Sequence, residues 1–139
     1  MIIQVIAAFF ATLFFSIIFN ISKNQLLYCG INGAIGWLVY LLTINMDSII
    51  FSTFLGALTI SIIAHILSKI RKAPVTIYLI AGIIPLVPGA ILYKAIYNIV
   101  IQDYDMSTYY GIQAIELACA IAVAVFLVAS VTKSPRMKK

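Results

Sequence analysis

Ile83-Ile84-Pro85-Leu86-Val87-Pro88-Gly89-Ala90 is the stretch on which the fold turns: two prolines and a glycine stand in the middle of an apolar run reaching from about Ile77 to Ile101. A run of that length matches a membrane crossing, since hydrocarbon roughly 30 Å thick takes about 20 helical residues rising about 1.5 Å each. Each proline lacks an amide hydrogen and clashes with the carbonyl four residues earlier, so the C=O groups of Ala81 and Ile84 are expected to be free, and Gly89 tolerates further distortion. The run therefore predicts a helix broken near the bilayer midplane. In transporters, discontinuous helices present free carbonyls and half-helix N-termini to substrates or ions at that depth. A packing kink satisfied by neighbouring helices is the other reading of the same motif.

Outward from this run, further apolar stretches at 2–19, 26–44, 49–67 and 109–131 predict four more helices, so residues 1–139 read as a single all-α polytopic membrane domain with five transmembrane helices. Composition requires the same. The chain is 64% hydrophobic and 9% charged, whereas a soluble domain carries roughly 25% charged residues to cover itself. The first stretch opens Met1-Ile2-Ile3-Gln4 without the basic segment of a cleavable signal and is read as retained.

The loops between the runs sort by sign. Lys23, then Lys69, Arg71 and Lys72, then Lys133, Arg136, Lys138 and Lys139 fall on one side, while Asp47, Asp103 and Asp105 fall on the other. The positive-inside rule makes the basic side cytoplasmic, which puts the N-terminus outside and the C-terminus inside a cell membrane. The net charge of +5 is thus topology information and not a nucleic-acid surface. Tyr28 and Tyr78 at the inner boundary, with Tyr104, Tyr109 and Tyr110 at the outer one, suit interfacial belts.

Two charges stand inside predicted spans, Lys94 and Glu116, and an ionisable group in hydrocarbon costs at least about 2.5 kcal/mol unless compensated. Counted from Ile101 and Tyr109, both lie roughly 10 Å deep on consecutive antiparallel helices, which makes them expected partners. Asn98 and Gln113 extend each charge into a polar stripe. The functional reading is a substrate path in which Glu116 exchanges a proton, and the structural one is a static pair. Gly30, Gly33 and Gly36, with Ser52, Thr53 and Gly56, are small residues suited to close helix packing, and Asn32 among them is a further substrate-path candidate. His65 is alone, and Cys29 and Cys119 lack metal-ligand spacing. No metal, no cofactor and no enzymatic activity is expected, since no cluster of His, Asp, Ser or Cys is present to carry chemistry.

Pro85-Leu86-Val87-Pro88-Gly89 followed by Tyr93, together with Leu27 through Gly36, Ser52-Thr53-Phe54 with Gly56, and the basic turn ending at Pro74, resembles the C-terminal membrane module of the ThrE-type threonine/serine exporter family. The resemblance implies a small, YjjB-like subunit of a split exporter, working with a larger ThrE-like or YjjP-like membrane subunit. It implies a small polar substrate, threonine or serine first and a succinate-like dicarboxylate as the alternative. A non-transporting assembly subunit is the other function to weigh, and self-association into a homo-oligomer is compatible with either. Only Pro85, Pro88 and Gly89 match a family motif. Lys94, Asn98, Gln113, Glu116 and Asn32 rest on physical argument.

The sign pattern has a direct check. In a background lacking Cys29 and Cys119, a cysteine at Asp103 should react with an impermeant thiol reagent added to intact cells, and cysteines at Lys72 or Lys138 should not. The reverse labelling would invert the topology.

Overall fold

The computed structural model describes residues 1–45 and 48–132, all of them helix or short connection. Asp47, Lys133, Arg136, Lys138 and Lys139, which contribute to the sign pattern, lie outside the described residues. The elements are α1 (Ile2–Ile18), α2 (Lys23–Thr43), α3 (Ile49–Arg71), α4 (Val75–Ile83), a single 3-10 turn (Ile84–Leu86), α5 (Gly89–Val100) and α6 (Tyr104–Thr132). Helices α2, α3 and α6 are each long and apolar enough to cross a membrane, and α4 with α5 makes a fourth crossing if that bent pair is one span. Helix α1, at 17 residues, reaches about 25 Å and is the shortest of the apolar runs.

Three of the hairpin connections close in the same way. Asn20, Lys72 and Gln102 each adopt positive φ, at 56°, 51° and 62°. The amide after each turns back to a carbonyl five residues earlier, Ile21 to Ser16, Ala73 to Ser68 and Asp103 to Asn98, at 3.0, 3.2 and 2.9 Å. These are Schellman closures that satisfy the last helical carbonyls without glycine. Asp103 then caps the next helix, accepting from the Met106 amide at 3.2 Å, so α6 begins at Tyr104, more than a turn before the apolar run predicted from Tyr109.

Packing is set by small residues. Thr12 of α1 lies against Gly33, where a Cβ would come within 2.1 Å of its Oγ1, and Phe9 lies against Gly30. Helices α2 and α3 meet at Gly36 and Gly56, and a Cβ on Gly56 would be 3.1 Å from the Gly36 carbonyl oxygen. Ile60, fully buried, fills the junction of three helices: Cβ atoms added at Gly36 or Gly82 would fall 2.2 or 2.8 Å from its side chain. Helix α4 is thereby wedged against α2 and α3, whereas α5 packs only on α6 among the described residues.

The predicted break is present, with the two prolines acting differently. Pro85 sits inside the 3-10 turn, where a missing amide does little harm. Val87, restricted by the proline after it, is extended at φ −61°, ψ 130°, and there the helix ends. The axis turns by 54° into α5. The Ile84 carbonyl is not free as expected: the Val87 amide donates to it at 3.2 Å, because a 3-10 turn supplies a nearer donor than an α-helix would. Leu86 packs on Gly56, about one turn from the middle of α3.

Gly36→Ala should cost about 1–3 kcal/mol through overpacking, read as a lower thermal aggregation midpoint of the detergent-purified chain. Adding Ile60→Ala should recover part of that loss. Two losses that simply add would show that the Gly36–Ile60 contact does not limit packing.

Candidate functional site

Because α5 turns away from the body while α4 stays wedged in it, the break opens a cavity of about 250 Å³ lined by Pro85 through Ile91, Trp37 and Tyr40 of α2, Ile49 and Thr53 of α3, and Leu117 of α6. Its apolar wall carries a few polar groups, the usual make-up of a small-molecule site, although it is on the small side. The Trp37 Nε1–H is buried and has no acceptor among the described residues. Thr53 Oγ1 donates to the Ile49 carbonyl at 2.8 Å, which leaves its lone pairs unused. At the break, the Gly89 amide turns back to the Val87 carbonyl at 2.7 Å and the Leu92 amide donates to Pro88 at 3.0 Å. No side chain caps α5, so the Ala90 and Ile91 amides are its remaining first-turn donors. Indole N–H and helix-start amides suit a carboxylate. Hydroxyl oxygens suit an ammonium or hydroxyl group.

Of the residues singled out in the sequence, Pro85, Pro88 and Gly89 line this cavity, and the others are dispersed. Asn32 is fully buried and donates from Nδ2 to the Tyr78 carbonyl at 3.1 Å. It ties α2 to α4, with its Oδ1 unpartnered. Asn98 folds back on its own helix, donating to the Lys94 carbonyl at 2.7 Å. His65 does likewise, with Nδ1 at 2.8 Å from the Ser61 carbonyl oxygen, which uses it locally. Gln113 is half-buried on α6. Among the described residues, no group of three or more His, Cys, Asp and Glu could hold a metal ion.

Lys94 and Glu116 are not brought together. The Lys94 Nζ lies 5.3 Å from the centre of the Tyr110 ring, a cation–π distance. Glu116 lines a separate groove with Ser48, Phe51 and Phe54 of α3. The expected pairing fails because depth was counted from Tyr109. With α6 starting at Tyr104, the Ser107 hydroxyl donates to the Ala95 carbonyl at 2.9 Å and sets the α5–α6 register. Lys94 therefore falls level with the start of α6, and Glu116 falls six residues beyond Tyr110, about 9 Å along the helix.

Sequence reasoning passed over Trp37 and Tyr40, and read Thr53 only as a packing residue. The one available signal was that the chain has a single tryptophan, placed directly after a packing glycine and away from the aromatic clusters at the chain's boundaries.

A discontinuous apolar helix inside an all-helical bundle with three further membrane-length helices is the architecture of a multi-pass membrane protein. The family described as Threonine/Serine exporter, ThrE, matches residues 4–131, and the chain belongs to it. An uncharacterized protein of Haemophilus influenzae is 36% identical over 88 residues, which are 62% of this chain and 29% of that relative. The chain thus matches less than a third of that relative's length. No solved structure matches the chain significantly.

The separation of the two charges predicts a result for a double-mutant cycle. Lys94→Gln and Glu116→Gln, scored by thermal stability of the purified protein, should be additive to within about 0.5 kcal/mol. A larger coupling would restore the pair.

Proposed function

We propose that this chain is the small subunit of a two-component secondary exporter that moves small polar metabolites, threonine and serine first, out of the cytoplasm. It crosses the membrane five times in this reading, with α1 as the first crossing and α4 through α5 as the fourth, N-terminus outside and C-terminus inside. A larger ThrE-like membrane subunit completes the transport path, as the short match to a longer relative supports.

The observation that carries the reading is the cavity at the broken helix. Trp37, whose indole N–H is unpartnered, and the uncapped start of α5 line it together with Thr53 and Tyr40. That combination offers donors for a carboxylate and oxygen acceptors for the amino or hydroxyl group of a hydroxy amino acid. Export then requires the cavity to open alternately to each side, with the 54° bend between α4 and α5 as the element that flexes. An ion gradient is the energy source in this reading, since the sequence carries no phosphate-binding loop. A dicarboxylate is the second substrate class, favoured by the donors at the α5 start.

The test is threonine efflux from loaded cells, normalised to membrane abundance. Trp37→Phe keeps the ring and removes only the N–H. It should lower efflux by roughly tenfold, the scale of one buried hydrogen bond to a charged group. Pro85→Ala/Pro88→Ala should abolish efflux at normal abundance by straightening the helix. Full efflux from an abundant double mutant would remove the break from the mechanism.

A further inference from the structure

Helix α5 and the part of α6 before Glu116 form a two-helix arm, since the α5 backbone comes close only to α6 among the described residues. The arm is heavily exposed: Tyr93 at 67%, Tyr109 at 59% and Ile115 at 64%. Tyr93 and Tyr97 stack with ring centres 6.1 Å apart. Lys94 at the arm's middle and Glu116 at its base are both exposed, and no ion pair joins them. In an apolar helix bundle, a bare charge of each sign on such a surface calls for a covering that supplies both an acceptor and a donor.

Lipid can satisfy Lys94 by extending its ammonium to a headgroup, but an anionic lipid offers Glu116 only repulsion. A second copy of the chain fits poorly as well. Copies inserted in one orientation about an axis normal to the membrane keep every residue at its own depth. The Lys94 ammonium rests at Tyr110, about 9 Å along α6 from Glu116, so neither charge meets its opposite at its own level. Of the remaining cations among the described residues, Lys23, Lys69, Arg71 and Lys72 belong to the other end of the bundle. The complement therefore comes from a different polypeptide. The Haemophilus influenzae relative, of which the matched region is 29%, carries a region similar to this chain within a longer polypeptide.

We propose that the α5–α6 arm is the docking surface for a different membrane polypeptide. Its transmembrane helices pack on the Tyr93/Tyr97 face and place an acceptor at Lys94 and a hydrogen-bond donor or cation at Glu116. The identity of that polypeptide as the larger exporter subunit rests on the function proposed above, while the docking itself rests on the arm.

The test places p-benzoylphenylalanine at Tyr97, at Ile115, and at Ile66 on α3 as a control, in the full chain in membranes of its native host. Irradiation should give adducts from Tyr97 and Ile115 but not from Ile66. Mass spectrometry should map the adduct to an apolar helix of another protein with a polar or charged side chain within a turn of the cross-link. Lys94→Leu and Glu116→Leu replace exposed charges with apolar groups, so membrane insertion is preserved. Each should cut adduct yield by roughly three- to tenfold, the range of one intramembrane hydrogen bond, and Glu116→Gln should retain most of it. A chain-to-chain adduct, labelling of lipid alone, or a yield unchanged in both leucine variants would overturn the proposal. Threonine efflux measured in the same cells separates the two ideas. A leucine-sensitive adduct in cells without efflux upholds docking against the exporter reading, and intact efflux without any adduct overturns docking alone.

Discussion

The arrangement depends on the close contact at Ile60. Gly36 and Gly82 leave no Cβ where Ile60 lies, which lets α2, α3 and α4 converge on one side chain. In a bilayer, where lipid is as apolar as leucine, such contacts hold helices together through packing and not through exclusion of water. Asn32 adds a hydrogen bond to the Tyr78 carbonyl in the same seam. The α4 half of the broken helix is fixed as a result, and the α5 half is free to diverge.

That asymmetry gives the break its consequence. A proline kink between two equally packed halves would be a bend filled by neighbours. Here α4 is held by α2 and α3 while α5 is held by α6 alone, and the divergence leaves a cavity lined by Trp37 and the start of α5. Pro85 and Pro88 divide the work, the first tightening the helix into a 3-10 turn and the second ending it. A site formed this way lies between one rigid and one weakly held element, which is where alternating exposure needs its moving part.

The two intramembrane charges take on a different meaning once their separation is known. A mutual pair would be satisfied internally, whereas Lys94 and Glu116 are both exposed and apart. Membership of the threonine/serine exporter family and the partial match to a much longer relative agree with a module that functions as part of a larger assembly.

By itself the sequence determined the helical, membrane-embedded character of the chain, the existence and place of the break, and the small-residue seams. Each of these follows from local chemistry: apolar run length, the missing proline amide, the absence of a glycine Cβ. The broken helix pair, Val75–Ile83 and Gly89–Val100, falls within two residues of the ends of the run read from Ile77 to Ile101. Register was not legible. The start of α6 depended on Asp103 reaching the Met106 amide, and the level of Lys94 against Glu116 depended on Ser107 meeting Ala95, neither of which periodicity encodes. Trp37, Tyr40 and Thr53 became neighbours of the break only through the crossing of α2 and α3 at Gly36 and Gly56. Contacts between helices distant in sequence are decided by how their side chains interlock in three dimensions, and only the tertiary structure records that.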